Sequence, residues 1–598
     1  MFLQNVSRKE ILGPAAAFLL MLLVYPLVAR FSAYFSTEPW CFFDDGTIAY
    51  TAYRVSLGEL PHIAFPYHYS GGFEIILGGF FRVFRPTFTV AQFVLGLCMA
   101  STAAVIYYIH RALQIDRYIA GPSSLLVVGI SFISNFHLFA AWPAQALVFV
   151  ACIFFMNGLE KNSAVSIIVA GMCLGVASSM KQTIGLYAIF GFMIYALVHA
   201  ATEPTDPYHG TNTDWTKPLF VELLLVIIFS FLPIAFFLFV LRSQIDAVNF
   251  LMFLLVPFSF TATGVWMFVR RSARSPEVCH RTVRSYERTV MRLVFGMILG
   301  FLPIVLLYLW VGGLKNFIFE SFLQVQQVVS KRSAGFEFSV SKEELAPAIR
   351  RLLGFSLPLV SSLASFGIGY GWRRRGGIDQ TSRWFILNGI LLSVMYFTLY
   401  PNVNRAYVFF LLPLIVMPFI SILDGGLQQR MKTRIGRVVI TGLLLVFVLG
   451  GYILSKQMSN DGEKRLAGSI TKIDEQRGAI YLPSQIAESV QPVVKYLRTR
   501  SATEKFLGYD VYNKAIAFLV GRPIEVDYQQ RHHYGEMEDQ DIYDIIALAD
   551  ERGIDTIILG KPSLRHTEAE AKMFLYLSRK YKLVLDTPSY FAYQRLTG

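Results

Sequence analysis

Two adjacent carboxylates, Asp44 and Asp45, lie about a dozen residues beyond the first long apolar run of the chain, between aromatic residues. Two like charges this close do not ionise independently, and partial removal from water raises the proton affinity of at least one toward that of a general base. The pair therefore predicts an acid–base site. The alternative is that the pair caps a helix beginning near Gly46, because Asp is favoured at helix N-caps.

Three basic residues are candidates for binding a phosphate. Lys181 follows the apolar run 163–180, where its cation can hold a phosphate or extend to the membrane interface. Arg405 lies in a short turn between two apolar runs, and its planar guanidinium matches phosphate oxygens or anchors a helix end. His68 can donate to a phosphate or form a hydrogen bond within a folded loop.

The composition is that of an integral membrane protein. Of the 598 residues, 54% are hydrophobic and 16% are charged, which is far more apolar than a soluble domain. The net charge of +13 comes largely from short basic runs between apolar segments, so we read these as topology signals and expect no nucleic-acid partner. About thirteen apolar runs can span a bilayer: 11–31, 88–110, 118–137, 142–158, 163–180, 184–200, 218–241, 247–269, 291–311, 352–371, 384–400, 405–424 and 438–455.

The basic loops predict the orientation. With the N-terminus in the cytoplasm, the loops near residues 111–117, 270–288, 373–375 and 430–437 all fall on one side, as the positive-inside rule requires. We therefore expect a multi-pass protein of the inner (plasma) membrane. Its domains are then a transmembrane domain 1–456, with outer loops 32–87 and 312–351, and a periplasmic or extracellular domain 457–598.

The tail has a different pattern from the rest of the chain. Three segments read as short strands: Lys505 to Tyr509, Thr556 to Gly560 and Tyr581 to Asp586. Two segments, Ile542 to Glu551 and Glu568 to Lys580, read as helices. The fold class is thus an α-helical polytopic membrane protein with a C-terminal soluble α/β domain. In the first outer loop, Phe73 to Phe84 is amphipathic and can lie at the interface.

These motifs, in this order and on one predicted side, resemble the GT-C superfamily of polyprenyl-phosphate-dependent glycosyltransferases. The branch most similar holds lipid A aminoarabinose transferases and protein O-mannosyltransferases. One departure is that His68-Tyr69-Ser70 stands where many relatives have His-Pro-Pro or Lys-Pro-Pro. The resemblance is carried by Phe43-Asp44-Asp45-Gly46 with Tyr50 and Arg54, by the His68 loop, by Met180-Lys181-Gln182-Thr183, and by Asn404-Arg405-Ala406-Tyr407 running to Pro413.

The resemblance implies an inverting glycosyltransferase that moves a sugar from a polyprenyl-phosphate donor to a hydroxyl of a glycan, lipid or protein acceptor at the outer face. It makes Asp44 the candidate base, with Asp45 as the second acid of the motif. Lys181, Arg405 and His68 are then the candidates for binding the donor phosphate. Within the matching motifs, the residues expected to contact substrate are Tyr50, Arg54 and Tyr407.

The residues leave two questions open. A divalent cation bound by Asp44 and Asp45 is chemically reasonable, but two adjacent acids do not establish a metal site, and no other cofactor is indicated. A transporter or flippase for lipid-linked glycans also needs many spans and buried cations, yet it needs no base at Asp44. A non-catalytic assembly protein is the other alternative, and it is distinguished by whether Asp44, Lys181 and Arg405 converge.

Overall fold

The structure, a computed structural model, is a bundle of apolar helices followed by a C-terminal α/β unit. It describes residues 8–35, 40–67, 69–134, 137–202, 219–241, 250–273, 276–323, 345–376, 380–399, 405–430, 470–475, 477–501, 503–509, 513–525, 539–561 and 568–596.

The helices of the membrane part follow one another with short connections. They are α1 (Arg8–Phe35), α2 (Trp40–Ser56), α3 (Gly72–Phe84), α4 (Phe88–Ala112), α5 (Arg117–Ser134), α6 (Ala141–Glu160), α7 (Ala164–Met180), α8 (Gln182–Thr202), α9 (Leu219–Leu241), α10 (Leu255–Ser272), α11 (Pro276–Trp310), α12 (Leu314–Ile318), α13 (Leu345–Gly376), α14 (Gln380–Met395) and α15 (Arg405–Arg430). A π-helical turn, Phe250–Leu254, precedes α10, another, Phe319–Leu323, follows α12, and a 3-10 turn, Tyr396–Leu399, follows α14.

The apolar helices confirm the polytopic fold class. Of the thirteen predicted runs, 438–455 lies outside the described residues, and the other twelve fall on helices. Three shorter helices are also apolar: Ala164–Met180, Val226–Val240 and Phe410–Asp424. Within the described ranges, six helical segments are long and apolar enough to cross a membrane: Leu12–Ala29, Phe88–Ala112, Ala141–Glu160, Gln182–Thr202, Phe250–Ser272 and Glu277–Trp310.

Helices α7 and α11 lie in direct backbone contact through four glycines. Gly171 and Gly175 on α7 face Gly296 and Gly300 on α11, and a Cβ at any of them would clash with a backbone carbonyl oxygen of the facing helix. The four-residue spacing on both helices is typical of close helix packing in membranes, where small residues let two backbones approach. The two helices run parallel, because the contacts advance along both chains together. Their carboxyl ends therefore lie at the same end of the bundle.

The loop before α3, part of the segment predicted to be the first outer loop and called by that name below, is held against the end of α7. The hydroxyl of Ser70 donates to the carbonyl of Ser178 at 3.2 Å, and a Cβ on Gly72 would clash with the backbone of Ser179. The predicted amphipathic stretch is α3, with Phe73 and other apolar residues buried on one side. The start of α3 is consequently fixed on the end of α7.

The C-terminal unit pairs a small sheet with helices. Its elements are β1 (Ile470–Glu475), β2 (Gly478–Pro483), α16 (Ser484–Arg498), β3 (Phe506–Tyr509), α17 (Asn513–Val520), α18 (Asp539–Glu551), β4 (Thr556–Gly560), α19 (Glu568–Lys580), β5 (Tyr581–Asp586) and β6 (Tyr590–Arg595). Strands β1 and β2 form an antiparallel hairpin. The other strands form a sheet in the order β3-β4-β6-β5, in which β3 and β4 are parallel and the other pairs are antiparallel.

The elements predicted in the tail are confirmed. The three predicted strands are β3, β4 and β5, and the two predicted helices are α18 and α19. The sequence prediction omitted the hairpin, α16, α17 and β6. The predicted boundary between 456 and 457 lies outside the described residues.

The C-terminal unit docks on one face of α2. A Cβ on Gly46 would clash with Ala515 of α17. Further along α2, the Tyr53 hydroxyl donates to the Gly521 carbonyl at 2.9 Å, and the Tyr53 ring lies edge-on to Phe518. Residues 46 and 53 are two helical turns apart and so face the same direction. The helix that carries the acid pair is therefore covered by the C-terminal unit.

We predict that the glycine contact between α7 and α11 does not tolerate a methyl group. Gly300→Ala should destabilise the protein by about 2 kcal/mol or more, because the facing backbone carbonyl cannot move aside. Gly367→Ala on α13 is the matched control, because nothing lies within 4 Å of its added Cβ and alanine favours a helix by about 1 kcal/mol over glycine. Thermal unfolding in detergent measures both, and equal midpoints for the two variants would contradict the packing argument.

Candidate functional site

The acid pair lies inside α2 and does not cap it. The helix begins at Trp40, four residues before Asp44, so the expectation that the pair caps a helix beginning near Gly46 is wrong. The carboxylate of Asp45 accepts a hydrogen bond from the backbone N–H of Leu138 and lies 3.3 Å from Nδ1 of His137. Asp45 thus ties α2 to the turn before α6, while the side chain of Asp44 is outside the described part of the chain.

The same turn contacts the beginning of α15. The rings of Phe139 and Trp142 lie 5.9 Å and 4.4 Å from the ring of Phe410, which comes five residues after the first residue of α15, Arg405. Five helical residues span about 7.5 Å. The first turns of α15 therefore pack near the segment that Asp45 contacts. The side chains of Arg405 and Tyr407, and all of His68, lie outside the described residues.

Lys181 occupies a break between two helices. Its backbone is extended, so α7 ends at Met180 and α8 starts at Gln182. The lysine is only 9% exposed, and its ammonium nitrogen lies 5.1 Å from the centroid of the Tyr69 ring. Burying a cation costs free energy unless it has compensating partners. The lysine is therefore buried at this break and does not extend into solvent.

A hydrogen-bonded bridge joins the first outer loop to the π-helical turn after α12. The Glu320 carboxylate lies 2.7 Å from Nδ1 of His62 and accepts the Tyr67 N–H at 2.8 Å. On its other side, Nε2 of His62 lies 2.9 Å from the Tyr69 carbonyl oxygen. Gln182 extends the link, because its side-chain amide donates to the Ser321 carbonyl at 3.0 Å. The sequence analysis missed His62 and Glu320, which are 258 residues apart and belong to no motif.

Glu74 is the most deeply buried acid next to Lys181. It is 0% exposed, and one carboxylate oxygen accepts a hydrogen bond from the Tyr67 hydroxyl. The other oxygen, Oε2, has no hydrogen-bond partner among the described residues, and neither has the Tyr308 hydroxyl. Burial raises the pKa of Glu74 from 4.5 to about 7, against the opposing effects of the Tyr67 hydrogen bond, a backbone hydrogen bond and the charge of Lys181. We call Tyr67, Tyr69, Glu74, Lys181 and Tyr308 the Glu74 cluster.

Tyr50 and Arg54 lie at the interface with the C-terminal unit. The Tyr50 hydroxyl accepts a hydrogen bond from the Ile524 N–H at 2.7 Å, and the side chain is fully buried. The guanidinium of Arg54 pairs with Glu59 and lies 4.1 Å from the centroid of the Phe65 ring. The predicted contact of these two residues with substrate stays a prediction, and their described contacts fix α2 in place.

The acid pair and Lys181 lie at one end of the helical bundle, in two neighbouring regions. Helices α6 and α7 pack against each other and are joined by a three-residue turn, so the start of α6 and the end of α7 lie on the same side. Asp45 contacts the turn at residues 137–138, whereas Lys181 contacts the first outer loop. Within the described ranges, no three His, Cys, Asp or Glu residues are grouped to hold a metal ion, and a cation at the acid pair stays a prediction.

No family model matches the sequence, and no curated protein matches it. Among solved structures, the chain is similar to ArnT from Cupriavidus metallidurans bound to undecaprenyl phosphate, with 11% sequence identity over 99% of both chains and a TM-score of 0.38. A likeness this distant carries no argument about the chemistry of the chain.

We predict that Glu74 makes the stability of the protein depend on pH. Its pKa is raised on folding, so its contribution is fully present below about pH 4.5 and is lost as the pH rises to about 7, a change of about 3 kcal/mol. Glu74→Gln, which stays neutral, should gain stability relative to wild type over this range. Thermal unfolding across the range measures the difference, with the exposed Glu551→Gln as control. Parallel pH profiles for wild type and Glu74→Gln would contradict it.

Proposed function

We propose that this protein is an inverting glycosyltransferase that takes a sugar from a polyprenyl-phosphate donor and transfers it to an acceptor hydroxyl at the outer face of the membrane. The observation that carries the proposal is the buried Lys181 at the break after α7, at the same end of the bundle as the acid pair. A buried cation at the end of an apolar helix suits the phosphate of a lipid whose chain stays in the bilayer.

The reaction needs a base and a means of stabilising the leaving phosphate. In the proposed step, Asp44 removes the proton of the acceptor hydroxyl, whose oxygen attacks the anomeric carbon of the donor sugar. The bond between that carbon and the phosphate oxygen breaks, and its electron pair leaves with the polyprenyl phosphate. Lys181 and Arg405 stabilise the charge that develops on the leaving group. His68 and Tyr407 are proposed to contact the donor from their matching motifs.

We assign Asp45 a positioning role next to Asp44. Its carboxylate is engaged by the Leu138 N–H and lies beside His137, so it holds α2 against the turn that also contacts the start of α15. The oxygens of Asp45 are thus occupied by contacts with the turn before α6, which leaves them less available to accept a proton from a substrate. Asp44 is for that reason the proposed base.

The proposed setting is the inner (plasma) membrane, with the N-terminus in the cytoplasm and the C-terminal unit outside. The basic loops of the sequence support this orientation. The proposed donor is a polyprenyl-phosphate-linked sugar, and the acceptor is a glycan, a lipid or a protein bearing a hydroxyl group.

We predict that Asp44→Asn loses transfer but keeps donor binding. The variant lacks a base, which should lower the rate of transfer by about 100-fold or more, while asparagine preserves the size of the side chain. Purified protein in nanodiscs, a lipid-linked sugar donor and mass spectrometry of the acceptor measure transfer, and a binding assay with the same donor measures affinity. Full activity of the variant would remove Asp44 from the mechanism.

We predict that Lys181→Ala weakens donor binding by about tenfold or more, because it removes a charged partner of the phosphate. Lys161→Ala is the matched control, since Lys161 is an exposed lysine in the turn before α7, at the opposite end of that helix. The control should bind the donor like wild type. Equal affinities for the two variants would count against the phosphate role of Lys181.

A further inference from the structure

Glu74 is a buried carboxyl that the proposed transfer reaction does not use. It lies on α3, which at thirteen residues is too short to span a membrane and belongs to the first outer loop. The start of α3 is fixed on the end of α7 by the backbone contact of Gly72 with Ser179. This contact places the carboxyl within electrostatic range of Lys181.

Several elements bring charged or titratable groups around Glu74. Tyr67 of the first outer loop donates to it, and Lys181 at the α7–α8 break stabilises its charged form. Tyr308, near the end of α11, interacts electrostatically with both Glu74 and Glu320. Two other charged groups already have partners of their own: Glu320 contacts His62, and Arg54 of α2 pairs with Glu59. Among the residues that the structure describes, Lys181 is therefore the cation that acts directly on Glu74.

Binding of an anion beside Lys181 changes this balance. Part of the positive charge that stabilises the ionised carboxylate is then neutralised, and a second negative charge is brought close to Glu74. Both effects favour the neutral carboxylic acid. The unpartnered oxygen Oε2 is available for a proton, since no described hydrogen-bond donor occupies it. Because the pKa of Glu74 in the free protein is already about 7, a modest further rise changes its protonation at neutral pH.

We propose that Glu74 is a positioning residue for Lys181 and that binding of a lipid phosphate beside Lys181 is coupled to the uptake of one proton from solvent by the Glu74 carboxyl. The inference rests on the proposed function, because it takes Lys181 as the phosphate-binding residue. The affinity for the lipid phosphate then depends on pH, because Glu74, which does not touch the ligand, takes up a proton when the ligand binds.

The sign of the effect follows from linkage. Proton uptake on binding means that the affinity is highest at low pH and falls as the pH rises above the pKa of the free carboxyl. The fall is at most about tenfold per pH unit for one proton. Glu74→Gln is neutral at every pH and should lack this fall. The second ionisation of the free phosphate monoester also makes its binding depend on pH. This ligand ionisation is common to wild type and Glu74→Gln, so it cancels in the ratio of their two dissociation constants.

The experiment is titration calorimetry of the full chain in nanodiscs with a polyprenyl monophosphate, from about pH 6 to about pH 8.5, in buffers of different ionisation enthalpy. We expect the ratio of the wild-type dissociation constant to that of Glu74→Gln to rise several-fold across this range. Wild type should also take up more protons on binding than the variant. Glu551→Gln, an exposed substitution on α18, should behave like wild type. A constant ratio with equal proton uptake would overturn the proposal.

A second measurement separates this inference from the proposed function. If wild type binds no polyprenyl phosphate at any pH, the phosphate role of Lys181 and the proton coupling both fail. The positioning role is then decided without ligand, by a double-mutant cycle of Glu74→Gln and Lys181→Met on thermal stability. A coupling energy between the two substitutions that is present at about pH 8.5 and smaller at about pH 5 supports positioning. The reason is that the Glu74 carboxyl is ionised at the higher pH and neutral at the lower one. No coupling at either pH would overturn it.

Discussion

The close backbone contact between α7 and α11 determines where the polar residues of the bundle lie. Apolar side chains gain little by leaving lipid for each other, so helices in a membrane need tight packing or polar contacts to hold a fixed position. The four glycines supply that packing. Because the two helices run parallel, the contact also sets Lys181 beyond the end of α7 and Tyr308 near the end of α11 at similar height. The first outer loop then docks onto this pair of helix ends and completes the Glu74 cluster.

The second constraint is the cost of burying charge. An isolated carboxylate and an isolated ammonium are each strongly destabilised away from water, whereas a close pair offsets part of that cost. Glu74 and Lys181 come from parts of the chain about a hundred residues apart, so the electrostatic interaction between them depends on the tertiary fold. Tyr67 offsets a further part by donating to Glu74. The compensation is incomplete, because one carboxylate oxygen of Glu74 has no described hydrogen-bond partner. Burial therefore keeps the pKa of the carboxyl at about 7.

The apolar runs and the strands of the tail were predictable because each is a local pattern of fixed period. The place of Lys181 at a helix boundary was also predictable, since a lone cation after an apolar run stands out in the sequence, whereas its phosphate-binding role stays a prediction. Glu74 lies in an amphipathic stretch where an acid is ordinary, and His62 and Glu320 stand in loops with no spacing that relates them. Their roles arise from contacts between distant segments, which periodicity does not encode. The helical start at Trp40 was missed because the aromatic and acidic residues of 40–45 lack helical periodicity.

The docking of the C-terminal unit on α2 connects the two regions of the site. The Tyr50 hydroxyl accepts a hydrogen bond from a backbone N–H of that unit, and the Tyr53 hydroxyl donates one to a backbone carbonyl of it. Phe518 stacks on Phe81 of α3 and lies edge-on to Tyr53. Helix α2 is held at its start by the turn after α5, through Asp45, and along its length by the C-terminal unit. Helix α3 is held by the same aromatic residue and by the end of α7. The C-terminal unit therefore contacts both the helix that carries the acid pair and the helix that carries Glu74.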